Sequence, residues 1–330
     1  MRNRTLTCGY RQSPGTSHES KKNETQMNVP YHGLWPVMLT AFDDEGALDM
    51  AGVDALTEFY IEQGASGLFA VCQSSEMYEL SDEERLQLAQ RVVERTAGRV
   101  PIVAVGTFGG PVAWQAQFIR RMSDTGVNGV VILPNQLVGA EAGEGPLQNA
   151  LEQLIEATDS IELGLYECPQ PFHRNLSPQL LEWAATTARF VYMKDTDRAP
   201  DRIQPKIQAV AGSGLRMFNA ATISALPSLQ MGVAGVSPIA ANYYPELFTW
   251  LCAHHVDEPA KAEQLQHRLA SLDAAVRLKY PQSAKRFLHR RGVPISSRCR
   301  VAEHDFDGYD DLLLTSLIVQ VDEAKADLGL

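Results

Sequence analysis

The chain has 330 residues, 45% of them hydrophobic and 21% charged, a composition typical of a globular protein with a large core that excludes a disordered or disulfide-stapled chain. Its formal net charge of −11, without a basic cluster, argues against nucleic acid or an anionic membrane as the main partner and favours small molecules. No apolar run is long enough to cross a membrane, the N-terminus lacks the apolar segment of a secretory signal, and the five cysteines are scattered, so we expect reduced thiols in a cytoplasmic protein.

The predicted elements follow one another in a regular alternation. Residues 1–30 are polar and show no periodicity, so we expect a mobile tail. Beyond them, short apolar runs alternate with longer amphipathic segments, and the SDEE segment at 81–84 is typical of a capping box at a helix start. Eight apolar runs predict β-strands: 34–41, 67–72, 100–106, 129–134, 162–166, 190–194, 215–219 and 234–238.

Eight strands that alternate with helices predict parallel pairing with right-handed crossovers, and eight is the number that closes a (β/α)8 TIM barrel. A doubly wound open sheet is the structural alternative, but no GxGxxG motif follows the first strand. After Tyr244 the strand pattern stops, and helices are predicted to the end of the chain. We therefore predict an α/β protein with a barrel over residues 31–245 and a C-terminal helical extension over residues 246–330.

In such a barrel, functional residues gather at the C-terminal ends of the strands. Lys194 closes an apolar strand, where it would project into a partly desolvated mouth. Desolvation favours the neutral amine, which is a nucleophile for carbonyl carbon. Taken alone, a lysine at this place is more often a solvated or ion-paired residue, and Tyr166, at the end of the preceding strand, is more often a packing residue than a catalytic one.

Several segments match the motifs of one enzyme superfamily in order and spacing. Lys194 lies 28 positions after Tyr166, at the spacing of an imine-forming lysine. On these motifs, residues 33–300 resemble the dihydrodipicolinate synthase / N-acetylneuraminate lyase superfamily of Schiff-base class I aldolases. The matching segments are residues 33–42 (a first strand ending in Thr-Pro-Phe), 73–76 (a Gly-Thr-Thr-Gly-Glu loop), 165–169 (a Tyr-Asn-x-Pro motif) and 232–242 (a Gly-rich eighth strand followed by Ala-Asn).

The resemblance implies that Lys194 attacks the keto carbon of pyruvate, or of a pyruvate-containing 2-oxo acid, and forms a protonated imine. Tyr166 would shuttle protons between the carbinolamine and the substrate oxygen. Ser74 and Ser75 would bind the substrate carboxylate. The covalent imine on Lys194 implies no metal and no organic cofactor, and the family implies a homo-oligomer, either a dimer or a homotetramer.

Three replacements separate the chain from the synthases that build dihydrodipicolinate. Those synthases relay protons through a threonine and through a tyrosine lent by the neighbouring subunit, and the matching positions here are Gln73 and Gln136. An amide does not ionise near neutral pH and cannot relay a proton as a hydroxyl does. The arginine that binds their second substrate corresponds to Pro171, which leaves His173 and Arg174 nearby as alternative anion ligands.

Three further residues complete the candidate site. Thr196 stands where members that cleave sugar acids contact a hydroxylated substrate, with capping of the next helix as the alternative. Glu167 replaces the usual Asn, and it could pair with His173 or Arg174, tune the protonation of the site, or be a solvated carboxylate. Ser237, at the end of the eighth strand, is a candidate substrate contact.

We therefore predict a Schiff-base aldolase/lyase that cleaves or forms a C–C bond between a 2-oxo acid and an aldehyde, with a sugar acid or hydroxy-keto acid favoured. A 2-keto-3-deoxy sugar acid dehydratase with the same Lys194 and Tyr166 is the alternative closest in chemistry. Dihydrodipicolinate synthase is disfavoured by the three replacements. A catalytically inactive barrel that binds a small carboxylate is the alternative from another functional class.

Overall fold

The computed structural model describes residues 31–330, so the tail predicted for residues 1–30 lies outside the described residues. Strands and helices alternate from Gly33 onward. The strands are β1 Gly33–Leu34, β2 Leu68–Val71, β3 Ile102–Val105, β4 Gly129–Ile132, β5 Leu163–Tyr166, β6 Phe190–Asp195, β7 Arg216–Asn219 and β8 Gly235–Val236. The helices are α1 Met50–Glu62, α2 Asp82–Thr96, α3 Val112–Asp124, α4 Glu144–Ala157, α5 Pro178–Thr186, α6 Pro200–Val210, α7 Ala225–Met231, α8 Pro245–His254, α9 Pro259–Val276, α10 Gln282–Arg290 and α11 Gly308–Leu328.

The eight strands form one closed parallel sheet. Their order is β1-β8-β7-β6-β5-β4-β3-β2, and every pair is parallel. A parallel bridge between Val37 and Phe69 joins the segment after β1 to β2 and closes the ring. Each predicted apolar run overlaps one of these strands, so the predicted (β/α)8 TIM barrel is confirmed and the open-sheet alternative is wrong.

The sequence forms these elements for ordinary reasons. The strands are short and apolar and are buried on both faces, as parallel strands covered by helices must be. The predicted capping box begins α2: the Ser81 hydroxyl accepts a hydrogen bond from the Glu84 N–H, and the Glu84 carboxylate accepts one from the Ser81 N–H at 2.9 Å. Such reciprocal capping fixes where the loop after β2 ends, and that loop belongs to the candidate site.

Aromatic side chains fill one part of the barrel interior. The ring centroids of Tyr192 and Phe218 lie 4.9 Å apart, and Trp35 lies about equally far from both, at 5.3 and 5.2 Å. Phe69 meets Tyr192 edge-on at 5.7 Å. These buried rings form a rigid floor beneath the strand ends, because packed aromatic side chains have little room to change rotamer.

The last part of the chain is helical, as predicted. Helix α8 packs against β1 and β8, and α9 to α11 follow it. The predicted domain boundary at residues 245 and 246 stays a prediction, since α8 itself begins at Pro245. In the described part of the chain, no helix is both long and apolar enough to cross a membrane.

A buried ion pair fastens this helical extension to the barrel. Lys285 Nζ on α10 lies 2.7 Å from Glu76 Oε1 in the loop after β2, and both side chains are almost completely buried. The Glu76 carboxylate also accepts hydrogen bonds from the backbone N–H groups of Arg300 and Val301, at 2.5 and 2.9 Å. The extension therefore forms part of the wall around the mouth of the barrel.

Gly235 allows β8 to approach β1 closely. Gly235 in β8 pairs with Gly33 in β1, and a Cβ built on Gly235 would lie 1.9 Å from the Gly33 carbonyl oxygen. We expect Gly235→Ala to lower the free energy of unfolding by at least about 2 kcal/mol, because a backbone atom cannot yield as a flexible side chain can. Urea denaturation followed by circular dichroism measures this loss.

Gly145→Ala is the matched control, because Gly145 lies in α4 with nothing within 4 Å of its added Cβ. Replacing a helical glycine by alanine should leave stability unchanged or raise it by about 0.5–1 kcal/mol. Equal denaturation midpoints for the two variants would contradict the close approach of β1 and β8.

Candidate active site

A cavity of about 700 Å³ opens at the C-terminal ends of the barrel strands. Its wall includes residues at the ends of β2, β5 and β6 and residues of the helical extension. Gln73, Ser74, Tyr166, Lys194 and Thr196, all predicted from the sequence, line this one cavity. The volume suits a small organic acid rather than a polymer.

Lys194 lies at the end of β6, directly opposite Tyr166 of β5 in the strand register. Its Nζ is 4.5 Å from the centroid of the Tyr166 ring and 5.8 Å from that of Phe69, and the residue is only 3% exposed. Burial lowers the pKa of Lys194 from 10.5 to about 8, against a smaller opposing effect of the Cys72 and Cys168 thiols. About a tenth of this amine is therefore neutral at pH 7, and more at higher pH, and the neutral amine is able to attack a carbonyl carbon.

Tyr166 is as deeply buried as Lys194. Burial raises the pKa of its hydroxyl well above the ordinary value, and the neighbouring Cys168 and Cys72 thiols raise it further. The hydroxyl therefore stays protonated and can donate and accept hydrogen bonds at once. A neutral phenol next to a neutral amine is an arrangement that can move protons during attack on a carbonyl group.

The loop after β2 uses its two serines differently. A 3-10 turn covers Gln73–Ser75, and the Ser75 hydroxyl closes it by accepting from the Cys72 N–H at 2.6 Å and donating to the Cys72 carbonyl at 2.7 Å. Ser75 does not line the cavity, and its carbonyl accepts a hydrogen bond from Thr40. Ser74 does line the cavity and contacts the Tyr280 hydroxyl. Of the two predicted carboxylate ligands, Ser74 has the placement for that role.

Glu167 points away from the cavity into a buried ion cluster. Lys206 Nζ on α6 lies 2.6 Å from Glu167 Oε1 and 2.6 Å from Asp195 Oδ2, and all three side chains are buried. The pairing partner considered from the sequence, His173 or Arg174, is therefore wrong, and the partner is Lys206. Burial raises the pKa of Glu167 to about 7, with a further rise from Asp195 that Lys206 opposes.

This cluster lies next to Tyr166 and Lys194, on the side away from the cavity. Glu167 follows Tyr166 on β5, Asp195 follows Lys194 on β6, and Lys206 bridges the two carboxylates. The cluster holds the ends of β5 and β6 together and thereby fixes the distance between the phenol and the amine. A buried carboxylate pair without a cation would repel, so Lys206 is the residue on which this arrangement depends.

The structure gives different surroundings to three further predicted site residues, Thr196, Ser237 and Gln136. The Thr196 hydroxyl lines the cavity, donates to the Glu167 carbonyl at 2.7 Å and lies 2.6 Å from His173 Nε2. The Ser237 hydroxyl is fully buried and donates to the Trp35 carbonyl at 2.7 Å, away from the cavity wall. Gln136 also stays outside the wall, but its amide donates to the Tyr78 hydroxyl at 3.3 Å.

The segment after β5 separates the two alternative anion ligands. His173 lines the cavity, whereas Arg174 donates to the Gly139 carbonyl at 2.7 Å and does not line it. Burial lowers the pKa of His173, an effect that Lys206 and Arg198 increase. Pro171, at the position of the synthase arginine, is absent from the lining as well.

Comparison with known proteins agrees with this geometry. The model of the dihydrodipicolinate synthetase family matches residues 30–307. The chain belongs to this family. The resemblance drawn from the strand-end motifs is thereby confirmed, and with it the aldolase/lyase fold of the family.

Two relatives illustrate the range of activities in the family. The chain is 32% identical over 218 residues to a probable 5-dehydro-4-deoxyglucarate dehydratase 2 of Streptomyces avermitilis, covering 65% of this chain and 63% of that protein's length. It is 27% identical over 258 residues to a 4-hydroxy-tetrahydrodipicolinate synthase of Methylococcus capsulatus, covering 78% and 87% of the two chains.

A solved structure supports the fold alone. A prophage protein of the dihydrodipicolinic acid synthase family from E. coli K12, crystallised in complex with pyruvate, superimposes with a TM-score of 0.80 at 22% identity. The match covers 88% of this chain and 98% of that one.

The sequence interpretation missed several residues in and around this cavity. Tyr78 comes from a 3-10 turn after β2, and Arg277 and Tyr280 come from the helical extension. Asn242, noted only as part of the Ala-Asn match, donates to the Tyr280 hydroxyl at 2.7 Å. No spacing rule connects these segments, because they meet only in the folded chain.

Among residues 31–330, no group of three or more His, Cys, Asp or Glu side chains is arranged to hold a metal ion.

Lys206 could have been found from the sequence. In α6 the residues on the buried face follow the helical spacing Ile203, Lys206 and Val210, so a lysine stands where an apolar residue is expected. A charged residue on a core face indicates a buried ionic partner.

The ion cluster predicts a pH-dependent loss of stability. We expect Lys206→Met to lower the free energy of unfolding by about 3–5 kcal/mol near pH 8, because two buried carboxylates lose their cation. Burial raises the folded-state pKa of Glu167 to about 7, above that of an exposed carboxyl, so protonation favours the folded state as the pH falls. The deficit should therefore shrink towards about pH 5, as measured by urea denaturation at both pH values.

Lys261→Met is the control, because Lys261 forms an exposed ion pair with Glu258 at 2.6 Å. Such surface pairs contribute about 0–1 kcal/mol. A Lys206→Met loss as small as that of Lys261→Met, or one that grows on acidification, would contradict the role assigned to the cluster.

Proposed function

We propose that the chain is a Schiff-base lyase that acts on a hydroxylated 2-oxo acid through Lys194. The observation that carries this proposal is the buried Lys194 amine, which packs against the Tyr166 ring and has a lowered pKa. A buried lysine without a carboxylate partner has no evident structural task at a strand end. The same cavity offers the Ser74 hydroxyl for the substrate carboxylate and Thr196 and His173 for substrate hydroxyls.

The reaction follows from these groups. The neutral Lys194 amine attacks the keto carbon and forms a carbinolamine, which loses water to give a protonated imine. Tyr166 lends the proton that the departing hydroxyl needs and takes one back afterwards. The positive imine nitrogen then accepts the electron pair of the breaking bond at the neighbouring carbon. Because the imine is itself the electron sink, we propose that the enzyme uses neither a metal nor an organic cofactor.

The 4-hydroxy-tetrahydrodipicolinate synthase activity is not proposed. Gln73 and Gln136 stand at the two relay positions of the synthases, and neither amide can pass a proton as a hydroxyl does. Pro171 stands at the position of their substrate-binding arginine. The family membership that this chain shares with the synthases therefore does not extend to their second substrate.

A dehydratase is the second candidate, and the similarity to the probable 5-dehydro-4-deoxyglucarate dehydratase favours it. In such a diacid a methylene group separates the keto carbon from a hydroxylated carbon. The same imine can react in two ways. If the methylene group loses a proton and the hydroxyl group is then expelled, the reaction is a dehydration. If the hydroxyl group loses its proton instead, the C–C bond is cleaved. Arg198 and Arg277 on the cavity wall supply positive charge for a distal carboxylate.

A homo-oligomer and a cytoplasmic location stay predictions, the first from the family resemblance and the second from composition. An inactive barrel that only binds a carboxylate is the remaining alternative. A covalent imine on Lys194 would exclude it, because binding alone needs no covalent bond to Lys194.

Borohydride trapping tests the imine. Incubation with pyruvate and sodium borohydride should add one reduced pyruvate to the peptide that contains Lys194, as seen by intact mass and peptide mapping, and Lys194→Ala should abolish the adduct. Because burial lowers the pKa of Lys194 to about 8, the initial trapping rate should rise with pH and level off above about pH 8.

Lys261→Ala, which removes an exposed lysine of α9, should trap pyruvate as the unaltered enzyme does. The absence of an adduct with pyruvate, 2-oxobutyrate and a 2-keto-3-deoxy sugar acid would overturn the proposal. An adduct on another lysine would overturn it equally.

Product analysis separates the two candidates. The purified enzyme is incubated with 5-dehydro-4-deoxyglucarate and with 2-keto-3-deoxygluconate, and the products are followed by NMR. Pyruvate together with an aldehyde indicates the lyase, whereas a product that has lost one water without release of pyruvate indicates the dehydratase. Lys194→Ala should abolish either product.

A further inference from the structure

We infer that Tyr166, Cys168 and Tyr78 form a proton relay that lies entirely within one subunit. This inference rests on the proposed imine chemistry of Lys194 and adds the path by which protons travel between Tyr166 and the cavity mouth. It assigns Cys168 and Tyr78, which the sequence interpretation did not place in the mechanism, to the movement of protons.

Cys168 lies between the two phenols. Its backbone N–H donates to the Tyr166 carbonyl at 2.8 Å, and a side-chain hydrogen bond between the Cys168 thiol and the Tyr166 hydroxyl contributes, after burial, to the raised pKa of Tyr166. On its other side, Cys168 Sγ is 3.9 Å from the Tyr78 hydroxyl, within the range of hydrogen bonds to sulfur. The residue is 1% exposed, so bulk water does not replace the thiol as the connection between the two phenols.

Tyr78 connects the thiol to the cavity mouth. It is half-buried and lines the cavity, and its hydroxyl donates to the Gln170 carbonyl at 2.8 Å. Gln136 donates to the same hydroxyl at 3.3 Å. The hydroxyl is thus held in place while it faces the solvent of the cavity.

The two glutamines at the synthase relay positions become supports in this arrangement. Gln73 Oε1 lies 3.7 Å from Cys168 Sγ and can hold the thiol proton when the relay is at rest. Gln136 orients Tyr78. The hydroxyls that the chain lacks at positions 73 and 136 are therefore supplied by a thiol at 168 and a phenol at 78, both from the same chain.

The proton steps balance without any change of oxidation state. As the carbinolamine hydroxyl leaves as water, it takes the Tyr166 proton, and Tyr166 takes the proton of the Cys168 thiol. Cys168 takes the Tyr78 proton, and water in the cavity mouth restores the proton on Tyr78. Burial raises the pKa of Cys168 and of Tyr78, so each group starts in its neutral form and can both donate and accept.

The test compares four variants with the unaltered enzyme. Cys168→Ala and Tyr78→Phe each interrupt the relay, the double variant interrupts it twice, and Cys168→Ser restores a group that can donate and accept. Cys252→Ala, on α8 and outside the cavity lining, is the control. For each protein, kcat, KM and the solvent deuterium isotope effect are measured with whichever of 5-dehydro-4-deoxyglucarate and 2-keto-3-deoxygluconate the unaltered enzyme converts. The final extent of borohydride trapping with pyruvate and the melting temperature are measured as well.

We expect Cys168→Ala and Tyr78→Phe each to lower kcat by about 10²-fold, the usual size of a lost proton-transfer step, with little change in KM or in the final extent of trapping. The double variant should lose no more than about the larger single loss, because residues of one relay act as a unit. Cys168→Ser should recover at least about tenfold of the loss, and Cys252→Ala should leave kcat unchanged.

Independent, multiplying losses in the double variant would overturn the relay. So would a Cys168→Ser variant no faster than Cys168→Ala, since a thiol that only fills space is not rescued by a hydroxyl. If the unaltered enzyme fails to trap pyruvate, the proposed function falls and the relay with it. If trapping is normal and the variants keep full kcat, the relay alone is wrong.

Discussion

The alignment of two adjacent strand ends is the constraint on which the rest of the molecule depends. Tyr166 on β5 and Lys194 on β6 stand opposite each other in the strand register, so a shift of one residue would turn either side chain away from the cavity. Lys206 stabilises that register because it bridges the carboxylates of Glu167 and Asp195, which directly follow these two residues. The closed ring of eight strands places these paired ends at a cavity whose wall is completed by the segment between α9 and α10.

Two buried lysines in this protein have opposite surroundings and therefore opposite tasks. Lys206 meets two carboxylates, which raise its pKa and keep it charged, so it serves as a structural cation. Lys194 meets aromatic rings and thiols, and because the thiols oppose the effect of burial only in part, burial lowers its pKa to about 8. The opposite pKa shifts of the two lysines thus come from the neighbours of each amine rather than from its depth.

Much of this could be predicted from the sequence, because local pattern carries it. The apolar runs overlap all eight strands, and the strand-end motifs placed Tyr166 and Lys194 together at one cavity. The direction of a single hydroxyl could not be predicted: Ser75 closes its own turn and Ser237 bonds the Trp35 carbonyl, although both follow strands whose ends face the cavity. Tyr78 and Tyr280 were missed because distant segments bring them together, and that information resides in tertiary packing.

The Glu76–Lys285 ion pair joins positions 209 residues apart, so the chamber is finished only after nearly the whole chain has been synthesised. The strand pairs of the barrel can form earlier, but the wall that contains Arg277 and Tyr280 arrives last. The C-terminal segment consequently adds side chains to a cavity whose other walls belong to the barrel. Changes in this C-terminal segment can therefore alter the shape and charge of the cavity during evolution while β5 and β6 stay as they are.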